Sequence, residues 1–321
     1  MYRSTLSILL ITALSFTSCK KTAALAEESI STDVSDNIFL FVEREINGLI
    51  LGQTFKEPTG ITIGRDGTVF IVDRGNNRVV KFDSEMNPEK QIGGYGHGTE
   101  LFNRPSFAAM DNGLNLFVAD EGNRRVARFD ARLNFVDEIR FEDEEDPFKF
   151  GYPSGIGITS YGEIWIADNE KNRLCVFNNI SKFDRFIGDF GSSGGQMLSP
   201  EKIVKDDAGN FYVCDAGHSR IVVYDEFGSH IRTYAFNQIN YPISIAIADD
   251  MLWVLDGGDS KLFSVSKSGK VLVSFGPNLP GTNLSLKQPS DIALLENDRL
   301  VIVDTGNNRL LICRIVKGEA K

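Results

Sequence analysis

One six-residue segment recurs six times along this chain, and its spacing limits the possible folds more than any other feature. The copies are Asp73-Arg-Gly-Asn-Asn-Arg78, Asp120-Glu-Gly-Asn-Arg-Arg125, Asp168-Asn-Glu-Lys-Asn-Arg173, Asp215-Ala-Gly-His-Ser-Arg220, Asp256-Gly-Gly-Asp-Ser-Lys261 and Asp304-Thr-Gly-Asn-Asn-Arg309. Their aspartates lie 47, 48, 47, 41 and 48 residues apart. A proline precedes each one by 14 or 15 residues: Pro58, Pro105, Pro153, Pro200, Pro242 and Pro289. Three residues before each proline stands an apolar side chain, namely Phe55, Phe102, Phe150, Met197, Ile239 and Leu286. Three registers that coincide six times mark one supersecondary unit stacked on itself.

Each unit reads as four short strands. In the first, residues 60–63 are small and apolar, 68–72 are β-branched and aromatic, and two further strands fall at 78–82 and 89–92, with turns between them. The second strand, Val69-Phe70-Ile71-Val72, is apolar on both faces. A sheet buried on both faces needs a neighbour on each side, which stacked blades supply. In the Asp-x-Gly-Asn turn the Asp and Asn side chains bond nearby backbone, and glycine supplies positive φ. The closing arginine can pair with such carboxylates, or with carbonyls between blades. Asp73, Arg78, Asp120, Arg125, Asp168, Arg173, Asp215, Arg220, Asp256, Asp304 and Arg309 are therefore read as structural.

These turns resemble the NHL-repeat family of β-propellers, with Asn-Asn-Arg and Asn-Arg-Arg standing where that family has Asn-His-Arg. The resemblance covers about residues 38–316 and implies an all-β, six-bladed propeller of four-stranded blades. Units four and five depart from it with His218-Ser219-Arg220 and Asp259-Ser260-Lys261, and Lys261 puts the pairing of its blade in question. The last unit has three strands, near 290–295, 300–304 and 309–316. An orphan strand at 38–45 lies 20 to 13 residues before Pro58, much as the fourth strand at 270–275 lies 19 to 14 before Pro289. The N-terminal strand is thus expected to complete the sixth blade and close the ring, leaving no open edge. One propeller over residues 37–317 is expected, without a second domain.

Ahead of it the chain reads as an address. Residues 6–16 (LSILLITALSF) form an apolar run of 11, right for a signal-peptide core and too short to span a bilayer. Phe16-Thr17-Ser18-Cys19 resembles a bacterial lipobox, with Phe16 where leucine is usual. That resemblance implies a signal peptide at 1–18, cleavage before Cys19, lipidation of Cys19, and a polar tether at 19–36. The chain would then be an exported, membrane-anchored lipoprotein of the bacterial cell envelope. A plain secretory signal cut at Ala24-Leu25-Ala26 is the alternative.

A net charge of −10 is the opposite of a nucleic-acid footprint. Function is sought on the loops that enter each innermost strand: about 46–57, 93–104, 141–152, 188–199, 235–241 and 276–288. They are long and differ from one another, on a rigid scaffold. The residues two after each proline (Gly60, Phe107, Gly155, Lys202, Ser244 and Asp291) are expected to ring the channel mouth, with Glu201 adding a charge. Such a ring would hold either a small polar ligand or water. The acidic run Glu142-Asp143-Glu144-Glu145-Asp146 is either a solvated loop or a contact for a basic partner or cation. Phe148 and Tyr152 follow it, and acid beside aromatics suits an interface. Loop 46–52 is apolar, hence packed down or a contact patch.

Some relatives of the resembled fold are metal-dependent lyases, lactonases or esterases, and the amidating lyases among them imply a zinc held by several histidines. A catalytic zinc needs about three converging ligands. His97, His218 and His230 fall in different blades or on different faces, so no metal site is expected from them. Cys175 and Cys214 lie in neighbouring blades but in different strands, which argues against a bond. The reading is a non-catalytic binding or scaffold module for a protein, peptide or glycan, without cofactor or nucleic acid. The alternative is a hydrolase or lyase using Ca²⁺ or Zn²⁺ at the channel mouth.

Overall fold

The computed structural model describes residues 38–318 except 112–114, 141–150, 180 and 249. The signal peptide, Cys19, the tether, the acidic run 142–146 and Phe148 lie outside the described residues. No described helix is long and apolar enough to cross a membrane.

Six four-stranded antiparallel sheets account for the described strands. In blade one the order from the channel outward is Pro58–Ile63, Val69–Asp73, Arg78–Phe82 and Pro88–Gly93. Blades two to five repeat that order with inner strands Pro105–Met110, Pro153–Ile158, Pro200–Lys205 and Pro242–Ile247. Blade six takes Asp291–Leu295, Arg299–Asp304 and Arg309–Lys317 from the C-terminal end and Ile38–Ile46 as its outermost strand. That strand runs antiparallel to Arg309–Lys317, from Ile38 opposite Lys317 to Ile46 opposite Leu310, with a bulge between Val42 and Arg44. The two ends of the ring are thereby joined by a β-ladder, as the strand arithmetic anticipates.

The apolar faces sort into six clusters, each shared by two adjacent blades. Phe70, Val72 and Val79 of blade one meet Leu116, Val118 and Phe129 of blade two. Ile71 and Val80, on the other face of blade one, meet Val301, Val303 and Leu310 of blade six. The second strand of every blade is thus buried on both faces because alternate side chains serve different neighbours. The same alternation places the cysteines. Cys175 faces blade two and Cys214 faces blade five, so their thiols point to opposite sides of the ring. Both are free, as is Cys313, and burial raises the Cys175 and Cys313 thiols to about 12.

One irregularity recurs where it matters for function. In blades one, two, three and five, register against the second strand skips one residue directly after the proline, between Pro58 and Gly60, Pro105 and Phe107, Pro153 and Gly155, and Pro242 and Ser244. In blade four the skip lies between Pro200 and Ile203. A bulge of this kind re-aims the side chains beside it.

Candidate binding face at the channel mouth

The repeated aspartate anchors each entering loop. Fully buried at the end of the second strand, it accepts the backbone N–H of the residue two before the proline: Lys56 to Asp73 at 2.8 Å, Asn103 to Asp120 at 2.8 Å, Leu198 to Asp215 at 2.6 Å, Asn240 to Asp256 at 2.7 Å and Lys287 to Asp304 at 2.8 Å. Arginine Nε donates to the same carboxylate from five residues on, at 2.7 Å in Arg78 and Arg309, 2.8 Å in Arg125 and 2.6 Å in Arg220. The remaining guanidinium nitrogens donate to loop carbonyls, such as Ile50 and Gln53 for Arg78. The aspartate partner is therefore in the arginine's own blade, not across an interface. Contact between blades falls to the left-handed residue just before the arginine: Arg104 N donates to Asn77 at 2.7 Å, Ser199 N to Asn172 at 2.8 Å and Glu57 N to Asn308 at 2.7 Å.

Two blades depart from the staple. Arg173 lies 3.7 Å from Asp168 and stacks over Phe186 with 3.8 Å between guanidinium and ring centre. Lys261 turns to the exposed Asp259 at 3.5 Å, leaving Asp256 to accept from Gly258 and Asp259 backbone. Burial raises the carboxyls of Asp120 and Asp168, against the hydrogen bonds that favour their charge.

Residues two after each proline lie below the mouth rather than around it. Lys202 Nζ donates across the channel to Asp291 Oδ1 at 2.6 Å and to the Ile292 carbonyl at 2.7 Å. Ser244 Oγ donates to Asp291 at 2.7 Å, and the backbone N–H groups of Ile61 and Ile292 donate to it at 2.8 Å each. The Phe107 ring lies under the ammonium, 5.6 Å from its centre. All four side chains are buried. Glycine holds the remaining two places; at Gly155 an added Cβ would meet the Glu201 carbonyl at 2.2 Å. This plug gives partners to backbone groups on the inner edges of the blades, which no further strand pairs. Ser244 and Asp291, read from the sequence as ligand candidates, here make hydrogen bonds that stitch across the channel. Phe107 and Lys202 keep a place only in the floor of the mouth. Beneath the plug runs a cavity of about 330 Å³ with aliphatic walls, including Ile63, Ile156, Ile158 and Ile247.

Above the plug is a depression of about 420 Å³. All six residues that directly follow the prolines line it: Thr59, Ser106, Ser154, Glu201, Ile243 and Ser290. Three of the hydroxyls are spent on the next blade: Ser106 donates to the Pro153 carbonyl at 2.9 Å, Ser154 to Pro200 at 2.7 Å and Ser290 to Thr59 at 2.8 Å. Glu201 and Ile243 break that pattern side by side. Asn169 Nδ2 donates to Glu201 Oε1 at 2.7 Å, and Arg74 pairs with Glu121 at 2.6 Å. Burial pushes the Glu201 carboxyl up to about 7; the Asn169 hydrogen bond opposes this and the Glu121 charge adds to it. Arg74, Glu121 and Asn169 each follow a repeat aspartate, in positions that sequence reading passed over. The signal was present as a departure: a hydroxyl follows four of the six prolines, and glutamate and isoleucine follow the other two.

The entering loops expose large apolar side chains: Leu49 (75%), Tyr95 (71%), Tyr152, Phe190 (65%) and Tyr241. Tyr152 also lines the depression. Loop 46–52 is partly packed down: Ile46 and Ile50 are buried while Leu49 and Leu51 are exposed. The histidines stay apart. His218 takes the place of the turn asparagine, 3.0 Å from Asp215; His97 packs edge-on near Tyr95; His230 Nε2 lies 2.9 Å from Thr233 Oγ1. Among the described residues no group of three or more His, Cys, Asp or Glu could hold a metal ion.

Fold and mouth define a six-bladed β-propeller whose loop face carries an open, mixed-polarity depression. Three of its units, residues 55–82, 150–177 and 286–313, match the NHL repeat, so the chain carries NHL repeats on a six-bladed propeller. Protein brain tumor of Drosophila melanogaster is 22% identical over 131 residues, which is 40% of this chain and 13% of that protein's length. A structural genomics protein of unknown function from Bacteroides thetaiotaomicron superposes with a TM-score of 0.64 at 13% identity, over 87% of this chain and 77% of that one. A streptogramin B lyase structure gives 0.60 at 14%, over 87% and 98%. A catalytically inactive virginiamycin B lyase from Staphylococcus aureus with quinupristin gives 0.59 at 18%, over 85% and 84%. At these identities the likeness is one of fold.

Proposed function

We propose that this propeller is an exported, lipid-anchored binding module that engages a protein, peptide or glycan through its loop face. The observation that carries the reading is the set of exposed apolar side chains in five different entering loops, Leu49, Tyr95, Tyr152, Phe190 and Tyr241, on the loop face that also holds the polar depression. Aromatic anchors beside a concave polar centre are what a recognition surface needs, because they bury area at low entropy cost. The lipobox-like Cys19 supplies the anchor in this reading, and the mass of the mature N-terminus tests that part directly.

A second reading, hydrolysis or elimination at the mouth, has Glu201 in its favour, since a carboxyl that titrates near neutrality suits proton transfer. Binding to arrays of defined peptides and glycans separates the two. The full chain is expected to select one ligand class. Tyr95→Ser/Phe190→Ser should weaken that binding about tenfold or more while the fold persists. No rim-dependent ligand, together with turnover of an ester, lactone or hydroxyglycine amide that Glu201→Gln abolishes, would transfer the site to the second reading.

A further inference from the structure

The repeat makes its own departures conspicuous. In four blades the residue after the proline is Ser or Thr, and three of these hydroxyls donate to a neighbouring blade. Those hydroxyls have no donor left to offer a ligand. Glu201 is different. One carboxyl oxygen accepts from Asn169, and the residue following the next proline is Ile243, which provides no donor for the other. Charge in and under the depression sums simply. Arg74 neutralises Glu121, and Lys202 neutralises Asp291 beneath the floor. When Glu201 is ionised, one negative charge remains in the cavity without a counter-charge among the described residues. One phenol ring shares the depression and a second stands near it. Tyr152 lines the same cavity and is half exposed. Tyr241 stands close to it: burial and then the Glu201 charge raise the Tyr241 phenol.

We propose that this depression receives one organic ammonium group, the side chain of a lysine in a bound peptide, with Glu201 as its counter-charge and Tyr152 as its aromatic wall. The inference rests on the loop-face reading above and names the chemistry of its ligand. A carboxylate with one unused oxygen suits a compact point charge better than a planar guanidinium, which asks for two. Aromatic faces attract a cation that has shed part of its water. A hard divalent ion would require several free carboxylates, and the second one here is already paired with Arg74. An anion would meet net negative charge. Beside Glu201, Ile243 offers an apolar contact for the aliphatic stem of such a side chain.

The test uses the purified full chain and Nα-acetyl-lysine methylamide as the probe, followed by NMR titration, with the norleucine analogue as the uncharged isostere. The lysine probe is expected to bind and the norleucine probe not. Its affinity should rise about tenfold from pH 6 to pH 8, because Glu201 passes from mostly protonated to mostly ionised while the probe stays charged. Arg74, Glu121 and Lys202, the other charged side chains lining the depression, are each held in an ion pair. Glu201→Gln should lose both the affinity and its pH dependence, and Tyr152→Leu should weaken binding several-fold with the pH profile kept. Equal binding of the two probes, a flat pH profile in the wild type, or unchanged affinity in Glu201→Gln would each overturn the proposal. An array ligand lost on rim substitution but indifferent to Glu201→Gln would sink this inference and leave the loop-face reading standing. A lysine probe bound at Glu201, with no array ligand that depends on the rim, would do the reverse.

Discussion

At the scale of single residues, the turn aspartates and arginines behave as one device. Asp120 is wholly buried, and Arg125 supplies its counter-charge while also donating to the Gly98 and Leu101 carbonyls. Replacing Arg125 by Ala leaves a buried carboxylate uncompensated and should cost about 3–5 kcal/mol in a urea melt. Lys261→Ala, at the equivalent position in blade five, should cost less than about 1 kcal/mol, since its partner Asp259 is exposed. Glu201 carries the opposite pH signature to a salt-bridged acid. Its folded pKa lies above its ordinary value, so the folded state holds the proton more tightly. Its contribution to stability is present at low pH and is lost as pH rises from about 4.5 to about 7. Glu201→Gln should remove that slope and raise stability at pH 8 relative to wild type by on the order of 1–3 kcal/mol, read from paired melts across pH. The structural role of Asp73, Arg78 and their repeats was legible because it is local, a matter of offsets of three and five residues. The importance of Glu201 was not, because its burial and its Asn169 partner come from the neighbouring blade.

At the scale of elements, the closing strand and the inner-strand bulge have contrasting histories. Strand Ile38–Ile46 was legible as an orphan awaiting a partner, since its distance from the first proline matches that of a fourth strand. Leu40 is buried against blade five and the rest of blade six. Leu40→Ala should therefore cost about 2–5 kcal/mol. Deleting residues 38–46 should do more than destabilise: it would bare the edge of Arg309–Lys317, and concentration-dependent association should appear in size-exclusion chromatography. A deletion variant that stays monomeric with an unchanged melting temperature would refute the closure. The bulge was illegible. It moves the residue after the proline into the mouth and the next one into the plug, and no side-chain pattern announces a one-residue slip.

At the scale of the whole molecule, six interface cores run around a ring, and a buried ion pair spans its centre. No metal is part of that scheme among the described residues. Adding EDTA, Ca²⁺ or Zn²⁺ is expected to leave the melting temperature within about 1 °C, whereas a tightly held ion would shift it by several degrees through linkage. The number of blades, the four strands in each, the turn staples and the joining of the ends were all determined by the sequence itself. Each depends on periodicities or offsets within one repeat, and a repeat can be read wherever it occurs. Only the tertiary structure decided what the channel does. Lys202 and Asp291 are 89 residues apart and meet because the ring closes to a particular radius. That meeting consumes two of the charges that sequence alone offered to a ligand and leaves Glu201 above them without a counter-charge among the described residues. Contacts across a closed ring depend on the curvature summed over all six blades, and no single repeat encodes it.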